Sequence, residues 1–166
     1  MINLKVEKLA NVELPKKAHN TDAGIDFYLP TDLTYIIQNG KGINIEAVKD
    51  GDIVRTAIAI YPNKSVLLPM GVRLEFNRDY ALVFFNRSGT ATKKHLLRGA
   101  CVIDSNYRGT LFVNLNNVSD EIQYLIPGEK LIQGLFLPVP KVYIEEGKVD
   151  IETDRGEGGF GSTDKK

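Results

Sequence analysis

Five short segments of this 166-residue chain carry residue types that a packed core does not need. In Thr21-Asp22-Ala23-Gly24-Ile25-Asp26, two carboxylates lie four positions apart around a glycine. The segment suits either a turn entering a strand or an Asp26 placed near a cation or its water shell. Asn86-Arg87-Ser88-Gly89 sets a planar donor fork beside a hydroxyl and a glycine, the donors a phosphate needs. A surface ion pair with a Ser-Gly turn accounts for it equally well. In residues 102–109, Val-Ile-Asp-Ser-Asn-Tyr-Arg-Gly, Asp104 follows two apolar residues, so a partly buried carboxylate able to act as a general base is one reading. An Asp bonded to its own turn is the other. Gln133, inside the apolar run 131–137, must satisfy its amide through backbone, ligand or water. The last segment, Arg-Gly-Glu-Gly-Gly-Phe-Gly-Ser-Thr over 155–163, lets successive N–H groups converge on an anion, with Arg155, Ser162 and Thr163 as further donors. Its Phe160 has no core to join and suits a ligand ring, although a Gly-rich tail is commonly just mobile.

The remaining composition limits the alternatives. With 21 Lys and Arg against 21 Asp and Glu, no broad basic surface for nucleic acid is expected. The single cysteine, Cys101, excludes an internal disulfide and any multi-thiolate zinc site. His19 and His95 are too few for a His-rich metal cage. No apolar run approaches the ~20 residues of a membrane span, and the first residues lack the apolar stretch of a secretory signal. A cytoplasmic protein without membrane attachment or direct nucleic-acid binding is the expectation.

Elements able to position those segments are mostly strands. Ile2, Leu4 and Val6 alternate with polar residues, as do Leu111, Val113 and Leu115. Further β-rich runs cover 33–37, 43–48, 53–60, 65–76, 80–85, 131–137 and 141–145, separated by Gly-, Asn- and Pro-containing turns. This pattern predicts an all-β fold. Residues 102–118 read as a β-hairpin, and 90–97 as the one short helix, with Ser88 as its N-cap and Gly99 beyond its end.

Taken together and in order, DAGID, NRSG, VIDSNYRG, GEKLIQ and RGEGGFGST resemble the five motifs of the homotrimeric dUTP pyrophosphatases, the dUTPases. The resemblance spans about residues 14–163. It implies a distorted jelly-roll β-barrel over 1–154, a flexible closing arm over 155–166, and a homotrimer whose sites are shared between subunits. It also implies hydrolysis of dUTP to dUMP and pyrophosphate with Mg2+, limiting uracil in DNA and supplying dUMP for dTMP synthesis.

By the same resemblance, Asp104 activates the attacking water, and Tyr107 lies under the deoxyribose. Residues 99–103, including Gly99, Cys101, Val102 and Ile103, read the uracil edge through backbone. Arg87, Ser88 and Gly89 grip phosphate, and Gln133 lies near the phosphates and water. Arg155, Phe160, Gly161, Ser162 and Thr163 belong to the closing arm, with Phe160 over the uracil. Asp26 supports the metal indirectly, through water, while the substrate phosphates hold most of the Mg2+.

The sequence departs from the family pattern in places. Cys101 stands where many members have Gly, Arg98 lies close to where some have Asn, and Asp164 replaces a Gly. Extra length falls at about 35–61 and reads as an added β-hairpin, a surface that decorates the assembly or binds a protein partner. Rival readings are a dCTP deaminase on a related fold and a catalytically idle binding protein.

Overall fold

The computed structural model describes residues 1–158. Its strands pair only antiparallel, in four small sheets. The sheet that carries most of the motif residues contains β2 (Ile25–Tyr28), β12 (Lys130–Pro138), β7 (Tyr80–Asn86) and β9 (Val102–Ile103), adjacent in that order. A second joins β5 (Ser65–Pro69), β10 (Phe112–Asn117) and β8 (Leu96–Arg98). A third joins β11 (Gln123–Leu125), β4 (Ile53–Ile60) and β3 (Asn44–Asp50), and β1 (Lys5–Lys8) pairs with β6 (Val72–Glu75). Neighbours distant in sequence, such as β2 beside β12, give the crossing connectivity expected of a jelly roll.

Alternation produces these strands because every sheet lends one face to the same core. Phe27, Ile58, Leu68, Leu74, Leu82, Leu115 and Leu125 come from all four sheets and meet in one buried cluster. Phe27 and Phe84 pack edge to face within it, with centroids 5.1 Å apart.

Several local expectations are corrected. Residues 33–37 are not a strand but the start of helix α1 (Leu33–Asn39). Asp32 caps that helix, its side chain accepting from the Tyr35 N–H at 3.0 Å, so capping outweighs the β-prone Leu-Thr-Tyr-Ile-Ile composition. The extra segment is therefore a helix followed by a hairpin, β3 to β4, rather than a hairpin alone. The helix expected at 90–97 is shorter and earlier: α2 covers Ser88–Thr92, with Arg87 rather than Ser88 as N-cap. It cannot continue, because His95 turns to φ 49° and Leu96 then enters the core on β8. Thus two helices stand where one was expected. The predicted strand 65–76 breaks at Gly71, whose φ of 65° turns β5 into β6.

The hairpin over 102–118 does not form. β9 pairs with β7, and β10 pairs with β5 and β8, because each finds its buried face on a different sheet. Residues 141–145 make no strand; Val142, Tyr143 and Ile144 are exposed.

Candidate active site

Three of the five segments converge on one face of the β2-β12-β7-β9 sheet. Cross-strand neighbours share a face, and Gln133 of β12 lies opposite both Asp26 of β2 and Phe85 of β7. The Asp26 carboxylate, with 14% of its side chain exposed, accepts from Arg87 Nε at 3.0 Å and from Lys130 Nζ at 2.8 Å. Arg87 Nη1 donates to the Lys130 carbonyl at 3.2 Å. The hydrogen bond to Asp26 holds the Lys130 ammonium above the usual lysine range. Two cations around one carboxylate leave a net positive cluster, suited to an anion.

The Gln133 amide donates to the Asn86 carbonyl at 2.9 Å, so backbone satisfies it as the plain reading held. Gly24 lies directly against its other end: a Cβ there would sit 2.6 Å from Gln133 Oε1. Ser88 is exposed at the start of α2, with Gly89 beside it. The helix is fastened by buried Thr90, whose hydroxyl donates to the Leu131 carbonyl at 3.1 Å.

The nearby positive residues divide. Lys94 is structural, its ammonium donating at 2.8 Å to the Glu129 carboxylate and to the Tyr124 carbonyl. Arg98 stacks on the Phe85 ring at 5.1 Å and borders a groove with Gly24, Asn86 and Gln133. It therefore stands apart from the cavity beside Cys101.

That second cavity, about 210 Å3, is lined by residues 100–104, Tyr107, Leu111 and Phe112. β9 forms the edge of its sheet, so one side of its backbone faces no strand among the described residues. The Gly99 N–H donates to the Asn114 carbonyl at 2.9 Å, and the Cys101 carbonyl accepts from Phe84 N–H at 2.8 Å. Tyr107 folds its hydroxyl onto the Thr110 carbonyl at 2.8 Å, while Arg108 donates to the Ser105 and Tyr107 carbonyls and stiffens the loop. Asp104 is exposed rather than partly buried, because it lies at the rim where the loop leaves β9.

One subunit does not unite the two clusters. Ile103 lies opposite Leu82, five residues before Arg87 on the β7 side, which is roughly 16 Å along a strand. Arg155 bonds within its own turn, donating from Nε to the Gly158 carbonyl at 2.9 Å. Phe160, Gly161, Ser162, Thr163 and Asp164 lie outside the described residues. Lys130 was not singled out from sequence, although it stands inside GEKLIQ; only its ion pair with Asp26 reveals it.

Among the described residues, no three or more His, Cys, Asp or Glu side chains group as a metal cage. Asp26 remains suited to a hydrated cation, since each carboxylate oxygen accepts a single hydrogen bond and keeps a lone pair for a metal-bound water. Among the described residues, no helix is long and apolar enough to cross a membrane.

A family model described as dUTPase matches residues 53–164. The chain belongs to the dUTPase family. Among its relatives, the deoxyuridine 5'-triphosphate nucleotidohydrolase of Hydrogenobaculum sp. (strain Y04AAS1) is 32% identical over 157 residues, covering 93% of this chain and 100% of that protein. The enzyme of the same name from Enterobacter sp. (strain 638) is 35% identical over 148 residues, covering 86% and 91%. The fold is similar to that of a Staphylococcus bacteriophage 80alpha dUTPase solved with dUPNHPP, at TM-score 0.73 and 22% identity over 96% of this chain and 97% of that one. It is also similar to a dUTPase from phage phi11 of S. aureus that coordinates a structural Mg(II) ion, at TM-score 0.64 and 21% identity over 89% and 97%. The span matched by the dUTPase model opens at β4, so α1 and β3 precede it.

Proposed function

We propose that this chain hydrolyses dUTP to dUMP and pyrophosphate at sites shared by the subunits of a homotrimer. The observation that carries the reading is the meeting of Asp26, Arg87 and Gln133, from three separate motifs, on one sheet face beside the Ser88-Gly89 turn. Their donors suit a triphosphate, and the Cys101–Tyr107 cavity suits a deoxynucleoside.

In the reaction, a water oxygen forms a bond to the α-phosphorus while the bond to the α,β-bridging oxygen breaks. Asp104 takes the water's proton, and pyrophosphate leaves. Arg87, with Ser88 and Gly89, binds phosphate oxygens and stabilises their developing charge. Gln133 orients the phosphates and the water. Tyr107 packs under the deoxyribose, where its ring leaves no space for a 2′-hydroxyl. The free edge of β9, from Gly99 through Cys101, Val102 and Ile103, offers backbone groups to the uracil. Mg2+, brought in by the triphosphate, supplies charge neutralisation across the phosphate oxygens, and Asp26 faces its water shell.

The separation of Asp104 from Arg87 supports a site completed by another subunit. So does the stretch 139–151, where Val142, Tyr143, Ile144 and Val149 are exposed and pair with no strand among the described residues. We therefore read residues 1–154 as one β domain, and 155–166 as an arm that closes a neighbour's site through Arg155, Phe160, Gly161, Ser162 and Thr163. Its role would be to keep uracil out of DNA and to supply dUMP for dTMP synthesis. The 35–61 elaboration leaves room for a protein partner on the outer surface. Pyrophosphate release from dUTP with Mg2+, with UTP, dTTP and dCTP as controls, tests the reading. Turnover confined to dUTP is expected; deamination of dCTP, or no turnover by a well-folded trimer, would overturn it.

A further inference from the structure

We infer that Lys130 is a positioning residue that holds the Arg87 guanidinium open toward phosphate by occupying half of the Asp26 carboxylate. This rests on the reading of Arg87 as a phosphate ligand.

A carboxylate and an arginine in contact favour the side-by-side pair, with two parallel N–H···O bonds. Asp26 and Arg87 do not form it. Oδ1 accepts from Arg87 Nε at 3.0 Å, but Oδ2 is taken by Lys130 Nζ at 2.8 Å. Arg87 Nη1 turns instead to the Lys130 carbonyl at 3.2 Å. Nη2, which the second parallel bond would consume, has no hydrogen-bond partner among the described residues. Lys130 thus contacts Arg87 twice, once through its carbonyl and once through their shared carboxylate.

The chain is built to deliver this side chain. Lys130 and Gln133 are three residues apart, a spacing that puts two residues on opposite faces of a regular strand. A register shift between Lys130 and Ile132 inserts one extra residue, so that Lys130 lies opposite Tyr28 and Gln133 opposite Asp26. Tyr28 and Asp26 share a face of β2, and both β12 residues therefore face the same way. Leu131 and Ile132, between them, are both fully buried and lock the bulge. Asp26 is also held on its far side, by paired backbone bonds with Lys16 at 2.9 and 3.2 Å. A carboxylate fixed from both sides cannot rotate freely to follow Arg87.

Lys130→Met, which keeps the stem and removes the charge, tests this in the full-length protein. The expected result is a loss of about tenfold in affinity for a non-hydrolysable dUTP analogue, and in kcat/KM for dUTP. Affinity for deoxyuridine, which has no phosphate, should be unchanged, and Lys130→Arg should stay within about threefold of wild type because it still donates to Oδ2. A crystal structure of Lys130→Met should show Arg87 closed onto Asp26 through two parallel bonds. Wild-type kinetics in a folded Lys130→Met, or equal losses for deoxyuridine and the analogue, would overturn the inference. If Lys130→Met does not fold, Lys130→Gln serves the same comparisons. Absence of dUTP turnover by the wild type would instead overturn the function reading. The crystal comparison then decides alone, and an unmoved Arg87 refutes the role given to Lys130.

Discussion

Gly24 and Asp104 represent two ways in which a single residue acts at this site. A methyl group at Gly24 would press on Gln133 Oε1 and drive the amide from the Asn86 carbonyl. Gly24→Ala is therefore expected to lose about 1 kcal/mol, one hydrogen bond's worth. That corresponds to a drop of about 2–4 °C in a thermal melt. dUTP turnover should fall further than stability, as a steady-state assay would record, because Gln133 is displaced from the site face. Asp104 differs, being exposed and bonded through its backbone carbonyl to the Tyr107 N–H at 3.1 Å. Asp104→Asn should leave the fold and the affinity for a dUTP analogue nearly unchanged, while kcat falls by about 10²-fold or more. Retention of most activity would remove Asp104 as the base. Both residues were legible from their motifs. Lys130 was not, because its significance lies in a cross-strand contact that linear spacing conceals.

At the scale of elements, the β3–β4 hairpin is fastened to the body by Glu46. Its carboxylate accepts from the Tyr61 hydroxyl at 2.5 Å and from the Tyr124 hydroxyl at 2.9 Å. Those hydrogen bonds, led by Tyr61, hold Glu46 below its ordinary value of 4.5. A group depressed in the folded state stabilises above its unfolded pKa, and that stabilisation disappears as pH falls through the folded value. Glu46→Gln should therefore melt lower than wild type at neutral pH, with the gap narrowing below about pH 4. Melting curves across pH 3–7 would show it, and a pH-independent gap would assign the effect to packing alone. The hairpin itself was readable from alternation around Asp50-Gly51-Asp52, but α1 was not. Its single fully buried side chain, Ile36, is too little periodicity to distinguish a helix from a strand before the Asp32 cap is seen. The bulge in β12 did leave a trace, since Leu131 and Ile132 are adjacent and apolar where strict alternation allows one.

At the scale of the whole molecule, Arg87 and Asp104 lie toward opposite ends of the β7–β9 face, so a shared site has a direct consequence. Trimers mixed from inactive Arg87→Ala and Asp104→Asn subunits should regain turnover, because some sites take each intact residue from a different chain. Sites contained in one subunit would show no recovery. Removal of the residues after Asp154 should cripple turnover yet leave the melting temperature within a few degrees, since residues 139–157 are exposed and add little to the core. A large fall in melting temperature would mean that the arm supports the assembly.

The family, the β class and most site residues followed from the sequence alone, because motifs keep their chemistry in short linear stretches and alternation reports which strand face is buried. The charge balance of 21 against 21 concealed a positive cluster that only folding assembles. Tertiary structure decided which strands pair, where helices end and how Lys130, Asp26 and Arg87 meet. These depend on contacts between residues distant in sequence, such as the 104 positions that separate Asp26 from Lys130. Local pattern carries no record of such a contact until the core has chosen the register.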